Sequence, residues 1–339
     1  MNRFIVTLFP ILAITAHAAT AYISVIVQDA DTFEPISGAT VKAWFEEKIG
    51  WRAWSESAPI ITDTSVTDSR GFCRLKGKTN VGHVSCEVVI PPKGHYRGYG
   101  GSFDFKCKNL FDVWQPDNLV MTIRLDRVEN ANPMFVKRAF FPNVGKKVKE
   151  IMEIEQGVFS YDFLKGDWMP PWGDGEVADV IFHRLPREDC GMGVNGRGQN
   201  RPSFRDVVTI DFPGTGNGIA HVPVESTSEL KIRASVDSGF ISHYEQVCGR
   251  GKDLQAFRTC DKTKCFCFRI RTKYDERGNV IKGYYGKIYG DFEVGWSYHG
   301  VSSVKFLYYL NPKSNDRNLE WDMKNNLCPK PGDIGIPMP

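Results

Sequence analysis

An all-β fold of two β-sandwich domains is what the sequence predicts, on three observations. Thirty-two glycines and nineteen prolines punctuate the 339 residues, and 12% of the chain is aromatic. Apolar residues fall in short runs of Val, Ile, Phe and Tyr that alternate with polar ones, the period-two signature of half-buried strands. No long stretch repeats apolar residues at helical spacing; residues 144–155, VGKKVKEIMEIE, come nearest and predict one short helix between Pro142 and Gly157. At roughly 150 residues per domain, the length fits two.

The first element is an export signal. Asn2-Arg3 is a short positive region, residues 4–16 are almost unbroken in their apolar character, and Ala16-His17-Ala18 is the small-x-small pattern of a cleavage site, so cleavage is expected after Ala18. The apolar run is about a dozen residues, short of the roughly 20 a membrane-spanning helix needs, and Pro10 interrupts it. No other segment reaches that length without charges. An exported chain is expected, periplasmic, cell-surface or extracellular, with no transmembrane segment in its mature form. Cleavage leaves 321 residues and takes the formal charge from +3 to +2. With 43 basic and 40 acidic residues interspersed, nothing points to nucleic acid or to a charged membrane surface. A glycan or a cell-surface protein is the partner class to expect.

Residues 19–130 form the first module. Strands are expected at 22–27, 39–45, 72–75, 84–90, 101–107 and 118–125, with turns at 35–38 (PISG) and 67–71 (TDSRG). Alternation places Cys86, Val88 and Ile90 on one face, and Phe103, Phe105 and Cys107 on another. About seven short strands in about 105 residues fit an immunoglobulin-like sandwich. The string VQDADTFEPISGATVKA, followed by TDSRGFCRL, resembles the carboxypeptidase regulatory-like or transthyretin-like domain over residues 22–126. The resemblance implies a β-sandwich that accompanies enzymes, receptors and surface proteins and in most settings carries no catalytic group. Transthyretin-like hydroxyisourate hydrolases carry a first-strand histidine and end in Y-R-G-S. Here that place reads Ile26-Val27-Gln28-Asp29, and Tyr96-Arg97-Gly98 stands mid-chain before Tyr99, so the general base is missing.

The second module, residues 131–339, begins after a hinge expected at 130–133. Strands are predicted at 177–182, 206–212, 230–236, 266–273, 286–292 and 302–310, with turns at 213–218, 275–279 and 311–312. The expected architecture is a jelly-roll-like or immunoglobulin-like sandwich. The blocks FSYDFLKGDWMPPWGDGEVADVIF, GYYGKIYGDF and YYLNPKSNDRNLEWD resemble a family of secreted bacterial proteins without an assigned activity.

Two tryptophans beside two prolines make residues 166–175 the candidate ligand site. Trp168 and Trp172 would stack on sugar rings while Asp167 and Asp174 accept hydroxyl hydrogen bonds; in the competing reading both tryptophans plug one end of the sandwich. Asp162, Asp167, Asp174, Glu176 and Asp179 also offer carboxylate pairs for glycoside hydrolysis. Residues 315–322 hold oxygen ligands for calcium but lack EF-hand spacing, which leaves turn capping. No G-x-S-x-G is present; His183, His221, His243 and His299 have no partner at diagnostic spacing, and the glycines of 191–196 follow no strand. No catalytic residue, metal or cofactor is assigned. The expected function is non-enzymatic binding, adhesion or surface assembly, the alternative a carbohydrate-active hydrolase.

Nine cysteines in an exported chain predict disulfides with one thiol left over. Cys86–Cys107 is the candidate pair of the first module and Cys73 a buried hydrophobe. Cys190, Cys248, Cys260, Cys265, Cys267 and Cys328 are candidates in the second. Their spacing lacks zinc knuckles and a C-x-x-C. Strand alternation should send Cys265 and Cys267 to one face and Phe266 and Phe268 to the other.

Overall fold

The computed structural model describes residues 18–46, 60–141, 157–223, 232–297 and 300–329. The export signal, the helix expected at 144–155 and His299 lie outside the described residues. The chain divides between Arg127 and Val128 into two compact units. Among the described residues every regular element is a strand.

The first unit holds β1 (Ala19–Asp29), β2 (Thr40–Glu46), β3 (Ile60–Val66), β4 (Phe72–Thr79), β5 (His83–Ile90), β6 (Gly98–Asp104), the short pair β7 (Cys107–Lys108) and β8 (Trp114–Gln115), and β9 (Leu119–Leu125). Two sheets, β4-β1-β9 and β3-β2-β5-β6, face each other. Each closes on one face because its residues alternate: Ile23, Val25 and Val27 of β1, Val41, Ala43 and Phe45 of β2, Val84, Cys86 and Val88 of β5, and Ile123 and Leu125 of β9 form one buried cluster. Gly77 of β4 makes room for the Phe45 ring, which a Cβ there would meet at 2.2 Å. The result is an immunoglobulin-like β-sandwich. The strand expected through Cys107 ends at Asp104; Phe105 still packs in the core, and Cys107 opens the separate β7-β8 ribbon with its side chain exposed.

The second unit holds β10 (Asn132–Phe141), β11 (Val158–Asp162), β12 (Asp167–Trp168), β13 (Val180–Arg184), β14 (Glu188–Val194), β15 (Asn200–Asp211), β16 (Gly218–Val222), β17 (His243–Arg250), β18 (Ala256–Arg258), β19 (Cys265–Tyr274), β20 (Val280–Ser297), β21 (Gly300–Leu310) and β22 (Trp321–Asn326). One sheet runs β16-β19-β20-β21-β10-β22, the other β12-β11-β13-β15-β17-β18 with β14 also on β15. Between them lies an aromatic core in which Tyr161, Phe163, Phe182, Phe268, Phe292, Phe306 and Tyr308 are buried. The six-stranded sheet is covered on its other face too: Met134, Val136, Tyr285, Leu307 and Tyr309 pack under Ile232, Leu319 and Trp321.

Two expectations are corrected here. The segment 232–236 is no strand: it crosses the outside of the six-stranded sheet, held by Lys287 Nζ donating to the Ile232 carbonyl at 3.0 Å and by a single bridge between Ala234 and Asn318. Its apolar residues Ile232 and Val236 belong to this covering flap. The hinge expected at 130–133 is already inside the second unit. The Glu320 carboxylate accepts the Glu129 and Asn130 amides at 2.9 and 2.6 Å, and β10 starts at Asn132.

Candidate functional site

The tryptophan loop is an internal plug. Trp168 sits on β12, paired with Tyr161 of β11, and is only 3% exposed. Its Nε1 donates to the Phe140 carbonyl at 3.1 Å, and Phe141, Phe159, Tyr161, Phe182 and Phe306 surround its ring at centroid distances of 4.8–6.2 Å. A buried indole with its donor satisfied presents no face to a sugar. Trp172 is part-buried and meets Phe141 edge-on at 5.4 Å. Asp167 holds the loop closed, accepting the Trp168 amide at 2.9 Å and the Asp174 amide at 3.2 Å; Asp174 itself is exposed. The stacking role expected of Trp168 is therefore replaced by core packing.

The carboxylates are likewise committed. Asp162 and Asp179 are 1% and 3% exposed and share one cation. Arg271 Nε donates to Asp179 at 2.8 Å, and Arg271 Nη2 donates to Asp162 at 2.7 Å and to Asp179 at 2.9 Å. Asp162 also accepts the amides of Leu164, Lys165, Glu176 and Val177, and Asp179 that of Phe163. Burial, partly offset by Arg271, keeps the Asp179 carboxyl above its usual range. With both carboxyls buried and each oxygen already accepting, this is a clasp that ties the 162–179 loop to β19. The calcium-like tail is also capping: Asp316 accepts the Asn318 amide, and Asp322 those of Lys324 and Asn325.

The histidines gain partners that spacing concealed. His183 and His243 flank Asp211, at 3.5 and 2.7 Å, on the face of β13, β15 and β17 away from the core. The hydrogen bond to Asp211 raises the His243 pKa. In the first unit Asp29 is buried and accepts the Asp31 and Thr32 amides, Arg127 Nε at 2.5 Å and His95 Nε2 at 3.2 Å. Burial pushes its pKa up, but the Arg127 hydrogen bond and the amides outweigh it and hold the carboxyl far below the usual range. Among the described residues no group of three or more His, Cys, Asp or Glu is placed to hold a metal ion.

All nine cysteines are free thiols. Cys86 points into the first core, its Sγ 3.6 Å from Met121 Sδ, whereas Cys107 is exposed on the ribbon, so the candidate pair is not joined. Burial pushes the Cys86 thiol up to about 12 and those of Cys73, Cys248 and Cys260 to about 11. On β19, Phe266 and Phe268 enter the inner core while Cys265 and Cys267 face the outer cluster. Cys248 belongs to the inner core, so the sheet itself separates it from Cys265 and Cys267. Cys190 lies on β14 with its Sγ 3.8 Å from the Glu188 carbonyl, and Cys328 is buried beside the Tyr308 hydroxyl at 3.7 Å.

The surface feature that spacing did not reveal is the tip of the β7-β8 ribbon. Leu110 and Phe111 are 101% and 87% exposed. Their backbone is nevertheless fixed. Asn109 Oδ1 accepts the Phe111 and Val113 amides at 2.9 and 3.0 Å, the Asp112 amide donates to the Asn109 carbonyl at 3.1 Å, and Asp112 takes φ 58°. This is an Asx-type turn closed by a residue suited to the left-handed region. At its base Trp114 is buried, with Nε1 donating to the Thr79 carbonyl at 2.8 Å, and the Thr20 amide donates to the Asp112 carbonyl at 3.2 Å. Asn-x-x-Asp around two apolar residues was the available signal, masked because Leu-Phe reads as strand interior.

No protein-family model matches the sequence, and no curated protein matches it. Among solved structures it is similar to a streptococcal ancillary pilin at 15% identity and TM-score 0.22, covering 61% of this chain and 57% of the pilin. It is similar to the major pilin SpaD of Corynebacterium diphtheriae at 8% identity and TM-score 0.24, covering 88% and 83%, and to the major pilin subunit BcpA of Bacillus cereus at 10% and 0.23, covering 84% and 95%. Likeness at these scores carries no argument about function.

Proposed function

We propose that this chain is an exported, non-enzymatic protein of binding and surface assembly. Its first sandwich is of the carboxypeptidase regulatory-like type, and it docks through Leu110 and Phe111 into an apolar cleft of a cell-surface protein. The observation that carries this reading is the pairing of two fully exposed large apolar side chains with a backbone held by Asn109, Trp114 and Thr20. Exposed apolar residues on a preorganised turn lose little conformational freedom when they are buried by a partner. Covering one Leu and one Phe contributes about 3–6 kcal/mol, or about 10²- to 10⁴-fold in affinity. The hydrolase alternative draws no support from the site, since Asp162 and Asp179 are taken up by Arg271.

A photo-crosslinking residue placed at Phe111, in the full chain expressed by its own cells, tests the reading. One adduct of defined size on a surface protein is expected, and Leu110→Ser together with Phe111→Ser should weaken surface retention at least 100-fold without changing the melting profile. Retention unchanged in the double variant, or no adduct, overturns it.

A further inference from the structure

On the side of the six-stranded sheet that carries Leu307, β20 is interrupted. Tyr289 pairs with Leu307 and Glu293 with Lys305, so residues 290–292 stand opposite Phe306 alone. Gly290 and Asp291 both take left-handed backbone, at φ 84° and 66°, as a bulge of this size requires. Asp291 turns inward. It accepts Gln246 Nε2 at 2.7 Å, the Phe292 amide at 2.7 Å, and the Tyr244 hydroxyl and Asp261 amide at 3.2 Å each.

The displaced strand leaves a recess of about 200 Å³ lined by Arg138 of β10, Tyr289 and Glu293 of β20, Lys305 of β21, and Lys262 from the loop after β18. Two acidic residues line it, Glu293 and Asp291. Lys305 Nζ lies 2.8 Å from Glu293, Arg258 3.3 Å and Lys262 3.9 Å. The Lys305 hydrogen bond, foremost, holds the Glu293 carboxyl below its usual range. Among the described residues Arg138 makes no ion pair. Lys305, Arg258 and Lys262 pair with Glu293, and Arg138 lines the same recess, so four cations gather around two carboxylates, Glu293 and Asp291, and positive charge is in excess by two. That surplus is relieved when an anionic ligand enters. A guanidinium fork beside two ammonium groups matches the geometry of an oxyanion, and Tyr289 supplies a part-buried aromatic wall.

We propose that this recess binds one small ligand through a carboxylate, sulfate or phosphate group, with Arg138 and Lys305 as the groups that hold the oxyanion. The inference stands apart from the docking role of the ribbon tip, which lies in the other unit. Calorimetry on the mature full chain at low salt, with glucuronate, sodium sulfate and neutral glucose as probes, tests it. Binding of glucuronate or sulfate but not glucose is expected. It should weaken at least 10-fold in Arg138→Gln and in Lys305→Met, and should fall as sodium chloride rises. A preference for glucuronate places the oxyanion on an acidic sugar, and a preference for sulfate points to a free inorganic ion; both support the site. Among the described residues Arg138 has no ion-pair partner to strand, so the melting temperature of Arg138→Gln should match the parent. Absence of binding to either anion, equal binding of glucose, or full affinity in folded Arg138→Gln overturns the proposal.

Discussion

Replacing Arg271 with Met should cost the second unit about 3 kcal/mol at pH 7. The guanidinium makes three hydrogen bonds of 2.7–2.9 Å to two carboxylates that are themselves almost fully buried. Removing one partner of a buried ion pair costs about 3–5 kcal/mol because the remaining charge is left without compensation. Asp162 keeps four amide donors and Asp179 one, which places the loss at the lower end. For a domain of this size, about 3 kcal/mol is about 6–12 °C in melting temperature. The pH dependence carries a sign. The Asp179 carboxyl already sits above its ordinary value of 3.8, and without Arg271 it rises further. A folded state that holds its proton more tightly than the unfolded chain gains stability as pH falls through the raised value. The gap between variant and parent should therefore narrow from pH 7 to pH 5. Differential scanning calorimetry measures the loss, and amide exchange by mass spectrometry locates it. Strands β11, β13 and β19 should lose protection while β1 and β9 keep theirs. A shift below about 2 °C, or a gap that widens on acidification, would refute the clasp argument.

Three further outcomes follow from the same geometry. Trp168→Ala should destabilise the second unit by about 3–5 kcal/mol by opening a cavity in the aromatic core, and Trp172→Ala by less, as calorimetry would record; comparable small losses would contradict the plug. The His243 imidazole should titrate above 6.5 by NMR and return toward it in Asp211→Asn; its raised value contributes stability below about 6.5 that disappears as pH rises through the folded midpoint. In the first unit, Asp29 has a lowered pKa, so its contribution is present above about 4 and lost on further acidification. Asp29→Asn should melt lower at pH 7 and show a flatter acid limb, and an unchanged acid limb would count against the Arg127–Asp29–His95 cluster.

Strand alternation was the legible part of the fold. The string Cys265-Phe-Cys-Phe268 separates into two faces because a strand repeats every two residues, and the Val and Ile runs of β1 and β5 mark their inner sides the same way. What each face meets was not legible. Cys265 and Cys267 looked like staples until a flap from 232–240 and 319–323 covered them with apolar side chains. β14 and β17 escaped notice because few of their residues point inward, leaving their sequences polar. The Arg271 clasp joins residues 92 and 109 positions apart, beyond any local pattern. Trp168 lies in a loop whose turn residues are readable, but the direction of its ring is set by the distant Phe140 carbonyl.

The pairing of β10 with both β21 and β22 has a consequence for how the chain is made. β10 is the first strand of its unit, yet its neighbours come last: it lies antiparallel to β21 and parallel to β22, residues 321–326. The first sandwich has its last strand in place once Leu125 is available. A chain delivered from its amino terminus by the ribosome can therefore finish one unit while the other still waits with both edges of β10 bare. Roughly 190 residues separate these partners, so the second unit must stay open until residues 321–326 have been delivered, the interval in which unpaired strand edges are vulnerable to wrong partners.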